Sequence, residues 1–219
     1  MNNGDTSSDP SSATQRSYAR LRRMIVTGEI APGAKLKVER LKTVLATGAT
    51  PIREALGLLT SDQLVERTDQ RGYRAAPADR ARFMEILALR CSLEGLALRE
   101  SIAQATPTWD EQLLRALGRA AKTEPDDFEQ GEVWHKAFHM TLLDGCQMPL
   151  LRRLCDQLYD LNIRYRYLAG QALDYGRRNV CSEHADIVAA ARVRDADLAV
   201  SRLVKHYNMT GAYLADRLD

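Results

Sequence analysis

The chain has 219 residues, 45% of them hydrophobic and 27% charged, and a formal net charge of +2. That length can bury a core without disulfides, and the composition is the ordinary one of a soluble globular protein. No apolar run approaches the ~18 residues a membrane helix needs, and the opening MNNGDTSSDPSSAT lacks the basic and apolar regions of a secretion signal.

A cytoplasmic protein with no membrane partner is therefore expected. Cys91, Cys146, Cys155 and Cys181 are scattered with no C-x-x-C spacing and read as reduced thiols. The charge is unevenly placed. Residues 14–77 carry 12 Lys/Arg against 6 Asp/Glu, a net of +6, whereas residues 78–219 carry 19 against 21, a net of −2. A basic small module joined to a near-neutral larger one assigns contact with a polyanion to the first.

Residues 1–13 are Ser, Asp, Asn and Gly without hydrophobic periodicity and read as disordered. A first helix is predicted over about Gln15 to Thr27, with Tyr18, Leu21, Met24 and Ile25 on one face. Gly28 ends it, and APGAKL around Pro32 and Gly33 is a turn. A short helix from Val38 to Leu45 follows. The next begins in TPIREAL, with Thr50 as N-cap and Pro51 at the first helical position, where a missing N–H costs nothing. Two short helices across a compact turn make a helix-turn-helix. Leu64 to Arg67 and Tyr73 to Ala76 then read as a two-stranded hairpin with a basic tip, which is a wing.

Pro77 separates this 14–77 module from a helical 78–219 segment. A long helix runs from Asp79 to about Ala105, with Phe83, Ile86, Leu87, Leu93 and Ala97 inward. Thr108 with Glu111 reads as a capping box for the next, which ends near Lys122. Further helices are predicted over about Asp126 to Cys146 and Pro149 to Ala169. After a polar bend at Gly170 to Asp174, two more span about Tyr175 to Arg192 and Asp195 to Leu218. Nothing after Pro77 reads as a strand. The fold class is mainly α: a winged helix-turn-helix followed by an all-α antiparallel helical bundle.

A helix-turn-helix presents the start of its second helix to base edges in the major groove of double-stranded DNA. Here that start is Ala49, Thr50, Pro51 and Arg53. Arg53 can make a bidentate contact to guanine O6/N7, worth ~1–3 kcal/mol of discrimination. Thr50 can reach a phosphate, and Lys42, Arg71, Gly72 and Arg74, with Lys35 and Lys37 nearby, supply sequence-independent attraction. Reading a palindromic operator requires two copies, so a homodimer is expected. The competing reading is a winged helix used for protein contacts, with Arg53 solvated.

The chain has four histidines, His135, His139, His184 and His206, all in the helical segment. The first two are at i and i+4 on one helix face. The other two are 22 residues apart across a tight turn at about Val193 to Asp195. At ~1.5 Å per residue His184 lies ~14 Å before that turn and His206 ~17 Å after it. An antiparallel pair therefore holds both imidazoles near one height, and all four can converge on one metal. Separately placed core histidines are the plainer alternative.

The stretch from Ile25 to Pro77 resembles the N-terminal domain of GntR-family bacterial transcription regulators. The G-x-[LI]-x-P-G-x-x-L opening is Gly28 to Leu36, and T-P-[VI]-R-E-A-L is Thr50 to Leu56. The second segment resembles the FCD class, which carries R-x-x-x-E on its first helix (Arg90 and Glu94) and D-x-x-x-H on a middle helix. It then has H-x-x-I-x-x-A with a later His, here His184, Ile187, Ala190 and His206. The resemblance covers Tyr18 to about Leu214. It implies a ligand-responsive regulator, more a repressor than an activator, whose metal helps hold a small carboxylate effector. It departs twice. Ala49 stands where the family commonly has a base-contacting Arg, and His135 stands where the D-x-x-x-H carboxylate is expected.

Four neutral nitrogen ligands suit Zn²⁺ first, with Ni²⁺ or a similar ion as alternatives, and not Mg²⁺ or Ca²⁺, which want oxygen. They also leave the dication's charge uncancelled, which attracts an anion. His135 is open between ligand and pocket residue, with a three-histidine site plus water as the fallback. Arg90 lies on an apolar stripe and needs a partner, either Glu94 at i+4 or an effector carboxylate. Arg164, Tyr165 and Arg166 lie on a helix that can cap the pocket, and Arg164 and Tyr165 are assigned to the effector. Two rival functions follow from the same residues: a metal sensor with the ion as signal, and a metal-dependent enzyme activating water. The enzyme reading lacks an evident general base and has no use for a winged helix.

Overall fold

The computed structural model describes residues 12–68, 72–122, 128–169, 179–216 and 218. The chain divides into two compact units, Met1–Pro77 and Ala78–Asp219. In the first, α1 (Ala13–Val26) begins on a capping box. Ser12 Oγ accepts from the Gln15 N–H at 3.1 Å, and Gln15 Oε1 accepts from the Ser12 N–H at 2.8 Å. Ser12 and Ala13 thus belong to the helix rather than to the disordered start expected for 1–13, the rest of which lies outside the described residues. α2 (Val38–Leu45) ends on Ala46 at φ 48, in the left-handed region, which turns the chain into α3 (Ala49–Ser61). The cap of α3 is Gly48, not Thr50. Thr50 and Pro51 are its second and third residues, and the proline is tolerated because the first four helical N–H groups have no partner within the helix. α1 packs on α3, and Leu21, Ile25, Ile52, Leu56 and Leu59 are fully buried. Among the apolar residues of α2, Leu41 is buried and Val44 is 46% exposed.

The wing has three strands where a two-stranded hairpin was expected. β1 (Lys35–Leu36), β2 (Val65–Thr68) and β3 (Gly72–Ala75) form an antiparallel sheet in the order β1-β3-β2, with Lys35 opposite Arg74 and Thr68 opposite Gly72. Two residues are too few to show a strand period. β1 exists because Gly33, at φ 72, aims its N–H at the Ala75 carbonyl (3.0 Å), while the Ala75 N–H returns to Ala34 (2.9 Å). Residues 69–71 at the tip lie outside the described residues.

The second unit holds α4 (Arg80–Ala103), α5 (Pro107–Ala120), α6 (Phe128–Leu142), α7 (Pro149–Ala169), α8 (Val180–Arg192) and α9 (Ala196–Ala215), with no strand among the described residues. Asp79 caps α4, and Asp195 caps α9 after a turn in which Arg194 sits at φ 65. α5 is capped by Thr106, whose Oγ1 accepts from the Trp109 N–H, not by Thr108. Pro107 takes the first helical position and Glu111 pairs with Arg115 instead of closing a capping box. α6 stops at Leu142 rather than near Cys146. The expected polar bend at Gly170 to Asp174, and the start predicted for the next helix at Tyr175, lie outside the described residues.

α4 packs against α7 and α9, α8 against α9, and α5 against α6 and α8. Leu98, Leu113, Phe138, Leu143, Ile187 and Leu203 lie in the shared core at 1% exposure or less. Gly211 allows the closest α4–α9 approach: a Cβ there would lie 2.3 Å from Leu87 Cδ2. That contact comes about one turn after Tyr207, and it brings the face carrying His206 and Tyr207 toward Arg90. Cys91, Cys146, Cys155 and Cys181 are unpaired thiols.

Candidate functional site

The four histidines meet. His135 and His139 come from consecutive turns of α6, His184 from α8 and His206 from α9. One nitrogen from each lies within 4.8 Å of all the others, and three of the four rings are buried. His139 Nε2 is 3.3 Å from His135 Nε2, and His184 Nε2 is 3.3 Å from His206 Nε2. Two ligands on one tetrahedral ion with ~2.0–2.1 Å bonds are separated by ~3.3–3.4 Å, so the spacing fits a zinc-sized cation. Burial, and after it the neighbouring charges of Arg166 and of the other histidines, holds His135 and His139 well below the ordinary histidine range. Both rings are therefore neutral near pH 7, as metal ligands must be.

Outer partners hold the opposite edges of three rings. His135 Nδ1 is 2.6 Å from the Tyr159 hydroxyl, His139 Nδ1 2.9 Å from the Tyr207 hydroxyl and His206 Nδ1 2.8 Å from Glu183 Oε2. Such contacts orient ligating imidazoles with the other nitrogen inward. None of these three partners stood out in the sequence, because none shares a helix turn with the histidine it holds.

A cavity of about 10 Å³, room for one water-sized molecule, adjoins the cluster. Its lining includes Arg90, His135, Tyr159, Asn162, Arg166 and His206. Arg90 is buried, with Nε 2.6 Å from Glu94 Oε1 and its guanidinium 4.2 Å above the Tyr207 ring and 4.8 Å above that of Tyr159. Burial works against its charge, but Glu94, with Tyr207 and Tyr159, outweighs this and raises its pKa. Of the two partners considered for Arg90, Glu94 is the one in contact, and Arg90 still faces the cavity.

Arg164 and Tyr165 do not line that cavity. Tyr159, Asn162 and Arg166 do, at i, i+3 and i+7 on one face of α7. At ~100° per residue Arg164 points to about the opposite side and Tyr165 about a quarter turn away. Tyr165 packs against Phe83 with the rings tilted (4.9 Å between ring centres), and burial pushes its hydroxyl up to about 12. Arg164 is buried, and its Nε and Nη2 have no hydrogen-bond partner. Arg166 is the α7 arginine at the cluster. It pairs with buried Glu132, and its Nη1 is 3.5 Å from His135 Nε2.

In the first unit, Arg53 on α3 and the strand residues face one groove of about 860 Å³, lined by Lys35, Lys37, Glu39, Arg53, Arg67, Thr68, Gly72, Tyr73 and Arg74 among others. Arg53 and Thr50 are exposed, and Ala49 and Pro51 partly so. Arg74 Nη1 donates to the Gly33 carbonyl at 3.0 Å, so this side chain also fastens β1. Lys42 lies off the groove and pairs with Glu39 at 2.9 Å. Arg71 lies outside the described residues. Arg67 and Tyr73 are groove residues that periodicity did not reveal, since on the short β2 and β3 only the pairing with β1 sets which face is lined.

Residues 13–74 match the family model for bacterial regulatory proteins of the gntR family, and residues 85–209 match the FCD domain. The chain is similar to the HTH-type transcriptional repressor GlaR of Escherichia coli (strain K12), 28% identical over 207 residues, covering 88% of this chain and 91% of that protein. It is 31% identical over 202 residues to the uncharacterized HTH-type transcriptional regulator BphR of Paraburkholderia xenovorans (strain LB400), covering 89% and 82%. In fold it is similar to E. coli McbR/YncC, with a TM-score of 0.81 at 20% identity over 95% of this chain and all of that one. A putative GntR regulator from Rhodococcus sp. RHA1 gives 0.74 at 18% identity, over 93% and 98%.

Proposed function

The chain belongs to the GntR family of bacterial DNA-binding transcription regulators and carries an FCD domain, and from that premise we propose that a divalent metal on its four histidines sets the affinity of the winged helix for operator DNA. The single observation that carries this reading is the convergence of four imidazole nitrogens within 4.8 Å. Zinc is the first candidate, since all four donors are borderline nitrogens. When bound, the ion would supply a positive centre at which a small carboxylate can be held.

The protein's own groups would orient that anion. Arg166 and Arg90 face the cavity beside Asn162, and a carboxylate drawn there would exchange contacts with Glu132 and Glu94. On this reading Arg90 and Arg166 recognise the effector, and Arg164 and Tyr165, which do not line the cavity, support its wall. In the first unit, Arg53 with Thr50 at the start of α3 reads bases and phosphate, and Lys35, Lys37, Arg67 and Arg74 hold the backbone. The regulator acts as a homodimeric repressor in the cytoplasm, each copy reading one half of a palindrome. No described helix is long and apolar enough to cross a membrane.

The cavity's size favours a second reading, in which the ion alone is the signal, because 10 Å³ admits no organic acid without rearrangement. Operator binding by the chelated protein, measured with zinc returned in the presence and absence of small carboxylates, separates the two. Metal analysis of the purified protein tests the site itself. One ion per chain is expected, and it should be lost in His139→Ala; full occupancy surviving that substitution overturns the site.

A further inference from the structure

The Tyr207 hydroxyl stands between a carboxylate and a histidine. It donates to Glu94 Oε2 and lies 2.9 Å from His139 Nδ1. All three residues are buried, with Glu94 at 1% exposure, Tyr207 at 4% and His139 at 0%. Counting protons settles the direction of each contact. A phenol has one proton, and here it goes to the carboxylate, which can only accept. Toward His139 the oxygen must then accept as well, so Nδ1 carries the ring proton and Nε2 presents a bare lone pair. Nε2 is the nitrogen that faces His135 at 3.3 Å.

His206 reaches the same state without an intermediary, because Glu183 Oε2 accepts directly from its Nδ1 at 2.8 Å. His135 is different. Its neighbour, the Tyr159 hydroxyl, can give or take a proton, so that contact does not determine which ring nitrogen of His135 is protonated. The cluster therefore has two rings with an assigned tautomer, one on each side, each anchored on a carboxylate.

We propose that Tyr207 is a positioning residue that relays the Glu94 carboxylate to His139 and so fixes the tautomer in which Nε2 ligates the metal. The inference rests on the metal reading above. It also answers the charge problem posed by His135. The negative charge missing from the ligand shell is placed one or two hydrogen bonds outside it, on Glu94 through Tyr207 and on Glu183 directly. Outer partners of this kind raise ligand basicity, and their removal typically weakens metal binding ~10–100-fold. Arg90 holds the same Glu94 carboxylate from the cavity side, at 2.6 Å. The relay thus joins the cavity wall to a metal ligand through four consecutive side chains.

The test uses the full chain with zinc as probe and affinity read by competition against a chromophoric chelator. Tyr207→Phe keeps the ring under Arg90 and removes only the hydroxyl, and it should weaken zinc binding ~10–100-fold. Glu94→Gln should weaken zinc in the wild-type background and add little on top of Tyr207→Phe. Unchanged affinity in Tyr207→Phe overturns the relay, as do losses from the two substitutions that simply multiply. Nitrogen-15 NMR of the zinc-loaded wild-type protein gives a readout that a merely structural tyrosine would not move and that needs no variant to fold. A His139 proton on Nδ1, protected from exchange, supports the relay; a proton on Nε2 overturns it. A wild-type chain that binds no zinc at all overturns the metal reading and the relay with it, whereas tight wild-type binding that Tyr207→Phe shares sinks the relay alone.

Discussion

At the scale of single residues, the site is governed by where protons sit. His135 and His139 are held neutral by burial, with the charges of Arg166 and of the neighbouring rings adding to the effect. Their folded pKa lies below the unfolded one, so between the two values the unfolded chain binds more protons than the folded one. Stability then rises with pH in that window and is lost as pH falls below about 6.5. For metal-free protein in chelator, the helical unit should lose up to ~1.4 kcal/mol per histidine for each pH unit of descent from about 6.5. Calorimetry between pH 7.5 and pH 5.5 reads this as a falling Tm, and a flat Tm would mean that the rings are not held neutral. Glu132 shows the opposite perturbation: burial raises its pKa, and Arg166 beside it works against that rise.

At the scale of elements, α3 and the wing act as one surface because β1 pins the wing. The Gly33–Ala75 and Ala34–Ala75 hydrogen bonds, together with Arg74 on the Gly33 carbonyl, place Lys35 and Lys37 on the rim of the groove that Arg53 enters. The two kinds of groove residue should separate experimentally. Arg53→Ala should cost ~1–3 kcal/mol at one operator base pair and relax sequence preference. Lys37→Ala should weaken specific and non-specific DNA alike and lower the salt slope by ~1. Anisotropy titrations at several salt concentrations distinguish them, and retained operator preference in Arg53→Ala would move the reading surface elsewhere. The element ends were the part least readable from sequence. Thr50 and Thr108 are both good caps in isolation, yet Gly48 and Thr106 serve, because residue type sets which caps are possible and packing selects among them.

At the scale of the molecule, the histidines lie entirely in the second unit and the groove lined by Arg53 in the first. A ligand that binds only the folded helical unit should stabilise that unit by ~2.7 kcal/mol at a free concentration 100 times its Kd. Zinc should therefore raise the unfolding transition of the helical unit, and His139→Ala should abolish the shift; differential scanning calorimetry measures both. A zinc shift that persists in His139→Ala would place the ion elsewhere.

Much of this was readable along the chain. The 3.6-residue period, Pro77, the T-P-I-R-E-A-L run and four histidines at i, i+4 and 22 residues apart are local patterns, and a helix converts such spacing directly into position. The division at Pro77 and the meeting of the imidazoles follow from that conversion. Other features depend on groups that are neighbours only across helices or strands. They include the third strand of the wing, which of Arg164, Tyr165 and Arg166 lines the cavity, and the hold of Tyr207, Glu183 and Tyr159 on the ring edges. Two residues of helical phase separate the arginine that lines the cavity from one that does not, and a ring nitrogen's partner lies up to 68 positions away. Spacing along one chain carries neither kind of information; it comes from the packing of α4, α6, α7 and α9 around the cluster.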